Sequence, residues 1–312
     1  MATSRFVTPT SDVLVELLVD TWSATSVLLA DLDEATWKSP SGLPGWTVQD
    51  VLSHLIGTER FLEGHPGAPD PGLEFDYVKN PIGEFNEFEV QARRELPGAD
   101  VLAEWNDLWR QREATLRGAD DAYFAAPAET PVGPGTTADF LAVRVLDSWI
   151  HEQDLRRCLD HPGRLDVPAA AHTIDRLLVG LPMVVGKRAH WPEGPLLRIV
   201  IDRGVERTID LALTDGRAGV VDTADEPAAT ITMFAPNNDA LAALPTALTD
   251  EQIIDLVLAH IIDETIDPLA DGTYDSLLTG VSAPATITID ASVTPATITN
   301  YDGSVPANAL GA

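Results

Sequence analysis

Four stretches within the first 160 residues place apolar side chains at helical spacing, and Pro- and Gly-rich segments separate them. A chain patterned this way has to bury several amphipathic faces against one another, which is the condition that builds a helix bundle. The first stretch, residues 11–31 (SDVLVELLVDTWSATSVLLAD), sets Leu14, Leu17, Leu18, Trp22 and Leu28 on one broad face. The second follows the loop SPSGLPGW, where Thr47 and Asp50 form a helix start of the capping-box kind. A third covers residues 82–118 and is predicted to break near Pro97, because proline removes a backbone donor and clashes with the preceding turn. PVGPGTTADF reads as a loop, and the fourth helix is expected from about Ala138 to Leu159.

Beyond the turn HPGRLDVP the pattern changes. Residues 169–188 predict one more helix. LLRIVIDRGVERTIDLALTDGRAGVV then alternates apolar and polar residues around the turn signals Arg203-Gly204 and Asp215-Gly216, as a β-meander does. The expected fold class is α+β, an antiparallel four-helix bundle followed by a smaller α+β region. Charge shifts as well: no Lys or Arg follows Arg217, whereas fourteen Asp and Glu lie in the last 95 residues, which marks a change of module. The motif Ala-Thr-Ile-Thr starts at 229, 285 and 296, and its residue types predict three short strands rather than a functional repeat.

A formal net charge of -29 argues against nucleic acid and anionic membrane as partners, since both are recognised through basic surface. Solubility is its plainest meaning. Cys158 is the single cysteine, so neither a disulfide framework nor a cysteine-based zinc finger is available. Arg5, Asp12, Glu16 and Asp20 interrupt any apolar run near the start, and the expected location is cytoplasmic.

The chemistry suggested by the residues centres on LAVRVLDSWIHEQDLRRC. Asp147 and His151 stand four positions apart, so both side chains project from one helix face and can reach one ion. His54, in the second helix, is the candidate third ligand; three protein ligands leave one position open for water or substrate. The plain alternative for His54 is a helix histidine satisfied by a local hydrogen bond. Asp50 is either the acidic member of the cap or a support for His54. Asp154 either orients the His151 ring or pairs with Arg157. Arg144 either grips a substrate carboxylate bidentately or forms a salt bridge inside the bundle. Cys158 lies about 10 Å along the helix from His151, too far to ligate, and reads as a small buried apolar residue. Trp105 and Trp109 read as packing residues. His65, His161, His172, His190 and His260 have no partner at ligand spacing.

LPGWTVQDVLSHLIGTERFL and RVLDSWIHEQDLRRCLDHPG together resemble the mycothiol-dependent maleylpyruvate isomerase family over roughly residues 10–165. The resemblance implies a DinB-like metal-binding bundle in residues 1–165. It also implies a divalent metal, usually zinc, held by His54, Asp147 and His151, with mycothiol or a similar thiol as cosubstrate. At Asp147 the best-known members carry Glu; Asp is one methylene shorter, so its helix must approach the ion more closely or its carboxylate must bind differently. Residues 166–230 resemble the sterol-carrier-like second domain of such proteins, and residues 231–312 resemble part of a fasciclin domain, through ITMFAPNNDALAALP and IIDLVLAHIID.

The activity so implied is a metal- and thiol-dependent isomerase or S-transferase acting on a small-molecule electrophile, with the metal-bound thiolate as nucleophile and Arg144 as an anion contact. Two other readings stand beside it. One is a binding protein that works through its acidic fasciclin-like tail, and the other is a metal-dependent hydrolase with water in place of the thiol.

Overall fold

The computed structural model describes residues 7–188, 196–201 and 204–221, and further along the backbone of six short strands between residues 232 and 308. The chain divides into two compact units, one formed by Phe6–Leu178 with Arg203–Val205, the other by the remainder.

Four long helices make the first unit: α1 (Ser11–Leu29), α3 (Val48–Leu62), α5 (Gly98–Gly118) and α7 (Thr137–Cys158). Between them lie α2 (Glu34–Trp37), α4 (Pro81–Gln91) and α6 (Asp121–Ala125), and α8 (Pro168–Leu178) follows. α1 packs on α5 and α7, and α3 packs on the same two helices. Leu14, Leu18 and Trp22 from α1 meet Val51, Leu52 and Leu55 from α3, Val101 and Trp105 from α5, and Leu141 and Val145 from α7 in one apolar core. Trp22 and Trp105 stand edge to face there, 6.2 Å between ring centroids, and the Trp22 indole donates to Ser148 Oγ. Trp109 is half-buried and donates to Ser26 Oγ. Both Trp105 and Trp109 thus pack the bundle.

The third predicted stretch is broken where proline stands: α4 ends at Gln91 and Pro97 is the N-cap of α5. Gly98, next in line, lies flat against Trp37; a Cβ on it would fall 2.1 Å from the ring's Cγ. Gly98→Ala is expected to destabilise the unit by about 1–3 kcal/mol through overpacking, measured by urea unfolding. A variant as stable as the wild type would show that the indole can step aside.

Two elements differ from the sequence reading. Residues 131–140, read as a loop, instead hold the first residues of α7 and the second strand of an antiparallel hairpin, β1 (Pro127–Thr130) with β2 (Gly133–Thr136), in register from Pro127↔Thr136 to Thr130↔Gly133. Its strands are Pro- and Gly-rich and carry no apolar alternation, so only pairing defines them. The helix expected over 169–188 stops at Leu178, and only a three-residue helix, α9 (Leu181–Met183), and a π-type turn (Val184–Arg188) follow. Gly180 and Pro182 explain the break, one by backbone freedom and the other by its missing N–H.

In the second unit β3 (Leu197–Ile201), β4 (Arg207–Thr214) and β5 (Arg217–Val221) form the expected antiparallel meander in the order β3-β4-β5. Asp215 and Gly216 both take positive φ in the β4–β5 turn, as a tight hairpin requires. Arg198 and Asp210 sit opposite each other and form a two-pronged ion pair, both contacts 2.7 Å. Further along, β6 (Thr232–Met233) pairs with β7 (Ile261–Ile262), and β8 (Gly272–Asp275), β9 (Thr286–Asp290), β10 (Thr297–Asn300) and β11 (Pro306–Asn308) form one sheet. The Ala-Thr-Ile-Thr motifs at 285 and 296 fall on adjacent strands β9 and β10, and the one at 229 lies mostly outside the described residues. His190 and His260 lie outside them too.

Candidate metal centre and its relatives

His54 owes its position to a helix start. Thr47 Oγ1 accepts from Asp50 N and Asp50 Oδ2 accepts from Thr47 N, so α3 is fixed two turns before the histidine. Asp50 therefore serves the cap, and its carboxylate also pairs with Arg94 at 3.1 Å. α7 begins with an equivalent box formed by Thr136 and Asp139. Both helices that carry these residues are thus anchored at their N-termini, and α3 packs against α7.

Ligand atoms of His54, Asp147 and His151 lie within 4.8 Å of one another. His54 Nε2 is 3.3 Å from Asp147 Oδ2, and His151 Nε2 is 3.8 Å from Asp147 Oδ1. These spacings are right for atoms that flank a shared cation. His151 Nδ1 is engaged by Asp154 Oδ2 at 3.1 Å, which leaves Nε2 facing the cluster. The other Asp154 oxygen pairs with Arg157, so the two roles weighed for Asp154 are both filled. His54 is buried, and its Nδ1 has no partner among the described residues.

Charge is organised around the cluster from below. Arg144, 3% exposed, donates Nε to Glu59 Oε1 at 2.8 Å and Nη1 to Asp147 Oδ2, the same oxygen that faces His54. Of the two roles weighed for Arg144, these contacts are those of the internal salt bridge; its Nη2 has no partner among the described residues. Glu59 is wholly buried and also accepts from Arg112 at 3.0 Å. Burial works to raise the Asp147 carboxyl, but Arg144, the His54 ring with its hydrogen bond, and His151 outweigh it and hold the group well below the usual carboxylate range. Burial pushes the His54 imidazole below the ordinary histidine range, against the pull of Asp147. Asp147 is thereby favoured as an anion and His54 as a neutral imidazole, the protonation states that a cation site would need.

Trp46, Glu59 and Glu87 were not singled out from the sequence. The Trp46 indole lies 5.4 Å from the His54 ring and 6.3 Å from the His151 ring, and forms a wall beside both. Its Nε1 donates to Glu87 Oε2 at 2.9 Å. A Trp-Thr pair at a helix start gives a local signal for the cap but none for what the indole touches. Cys158 is half-buried, with Sγ toward Leu155 O, and lies outside the cluster. His172 is buried and bonded through Nε2 to Ala142 O, a packing role.

Residues 18–156 match the family model of the mycothiol maleylpyruvate isomerase N-terminal domain, a span that contains all three residues of the cluster. The match lies within the helical unit and covers less than half of the chain. Residues 209–307 match the fasciclin domain, starting within β4 and so earlier than the motifs in the sequence suggested. Uncharacterized proteins from two strains of Mycobacterium tuberculosis are 24% identical over 140 residues, covering 42% of this chain and 51% of each relative. The chain thus spans about half the length of the curated relatives it matches. Among solved structures, the mycothiol-dependent maleylpyruvate isomerase superposes with a TM-score of 0.42 at 17% identity, over 64% of this chain and 79% of that one. An uncharacterized protein from Clostridium difficile 630 superposes with a TM-score of 0.38 at 14% identity, over 49% of this chain and 98% of that one. Among the described residues no helix is long and apolar enough to cross a membrane.

Proposed function

We propose that the helical unit is a metal-dependent, mycothiol-dependent isomerase or S-transferase in which His54, Asp147 and His151 hold one divalent cation. The observation that carries the reading is the meeting of two imidazoles and one carboxylate within 4.8 Å, each from an anchored helix. The match to the mycothiol maleylpyruvate isomerase N-terminal domain supports the thiol as cosubstrate. Zinc is the ion of choice, since two nitrogens and one carboxylate oxygen are its usual ligands when a position stays open.

A divalent cation bound here supplies one thing, a thiol deprotonated at neutral pH. The remaining work falls to side chains. Asp154 fixes the orientation of the His151 ring, Arg144 fixes the Asp147 carboxylate, and Trp46 keeps water from one flank of both histidines. A direct hold on a substrate acid group would use Arg144 Nη2, the guanidinium nitrogen that has no partner among the described residues. The reading carries a cytoplasmic setting, and a thiol and a small electrophile as partners, which suits a chain of net charge -29 better than nucleic acid does.

The test is turnover. Protein loaded with zinc is expected to isomerise or conjugate an activated alkene only when mycothiol is present, and His151→Ala is expected to fall to the uncatalysed rate. Turnover of equal rate without a thiol would remove the thiol from this reading.

A further inference from the structure

Beside the cluster lies a second feature that the metal does not explain. A cavity of about 370 Å³ opens between the turn before α3 and the chain leading into α4. Its walls include the Trp46 indole and the Tyr77 ring, with Leu43, Pro44 and Val78 adding apolar surface. The volume lies in the range of small-molecule sites, about 300–1,000 Å³.

The two aromatic walls are held in place by one buried carboxylate. Glu87, 1% exposed, accepts from Trp46 Nε1 at 2.9 Å, from Tyr77 Oη at 3.0 Å and from Gln91 Nε2 at 2.8 Å, and it pairs with Arg94. Its charge is fully used in building the walls. A rigid aromatic cleft prepared in this way loses little entropy when a flat apolar group enters it.

Lys79, exposed at the rim, is the single cation among the described residues that line the cavity. It can take one acid group, whereas a second would find no further cation among the described lining residues in a strongly acidic protein. The Trp46 indole is shared between this cavity and the two histidine rings.

We propose that this cavity binds a small molecule with an apolar or aromatic body and at most one acid group, and that Trp46 sets it against the cluster as the electrophile of the reaction proposed above. The role as electrophile rests on that reading; the binding site does not.

Phenylacetate, benzyl alcohol and succinate serve as probes in calorimetric titration of the full chain without metal or thiol. Phenylacetate is expected to bind at least about tenfold more tightly than succinate. Gly83 lines the cavity, and a Cβ on it makes only ordinary contacts, 3.4 Å to Val78 and 3.6 Å to Asn80. Gly83→Met is therefore expected to fold, to keep the metal content of the wild type, and to weaken phenylacetate about tenfold by filling the space. Lys79→Gln, at the surface, is expected to weaken phenylacetate up to about fivefold and to leave benzyl alcohol unchanged.

Phenylacetate that fails to saturate, succinate that binds equally well, or affinity that ignores Gly83→Met would each overturn the proposal. Binding that persists in a protein with no thiol chemistry keeps the cavity and removes the reaction. Thiol-dependent turnover whose KM ignores Gly83→Met keeps the reaction and overturns the cavity's role as the electrophile's site.

Discussion

Purified protein reconstituted with zinc is expected to retain close to one ion per chain, and His54→Ala and Asp147→Asn to lose it on desalting. Each replacement leaves only two ligands, and a drop in affinity of at least about 100-fold follows, since even the loss of a residue that merely supports a ligand costs about 10–100-fold. Asp147→Asn is the sharper variant because it keeps the shape of the side chain. It removes the anion that Arg144, His54 and His151 hold well below the usual carboxylate range, so the charge attracting the ion disappears while the helix packing stays. Metal content by elemental mass spectrometry, with circular dichroism to verify the fold, makes the measurement. Stoichiometric zinc in Asp147→Asn would remove the carboxylate from the site, and absence of metal from the reconstituted wild type would remove the site altogether.

The three residues at the centre of that experiment could be chosen from the sequence because their signal is local. Asp147 and His151 share a face by helix geometry alone, and the Thr47–Asp50 box fixes where the His54 helix starts. The long helices were readable for the same reason, since amphipathic period and proline placement are properties of neighbouring residues. What escaped either carries no apolar pattern or depends on residues distant in sequence. The β1–β2 hairpin is defined by pairing rather than pattern, and Trp46 matters only because α7 brings His151 to it. Arg144 was weighed between two roles because nothing near it in sequence shows that Glu59, 85 positions earlier, would be its partner. The C-terminal strands carry suitable residue types, but their order in the sheet is likewise set by pairing over distance.

Glu59 gives the second large effect. Its side chain is wholly buried between Arg112, 1% exposed, and Arg144, 3% exposed, and accepts from both. Arg112 extends the chain of contacts to Glu63 at 2.7 Å. Burial works against the charge on each guanidinium, and the carboxylates outweigh it, so both arginines stay ionised. Glu59→Gln removes the shared anion and leaves two buried cations short of compensation. The expected loss of stability is about 3–5 kcal/mol, the range for breaking a buried ion pair from one side. Replacing all three together, as Glu59→Leu with Arg112→Leu and Arg144→Met, also takes Arg144 from Asp147 and Arg112 from Glu63, and is expected to be at least as destabilising as Glu59→Gln alone. Urea unfolding of both variants decides the point. A Glu59→Gln protein within about 1 kcal/mol of the wild type would mean that water reaches the arginines and that the network does not hold α3 to α5 and α7.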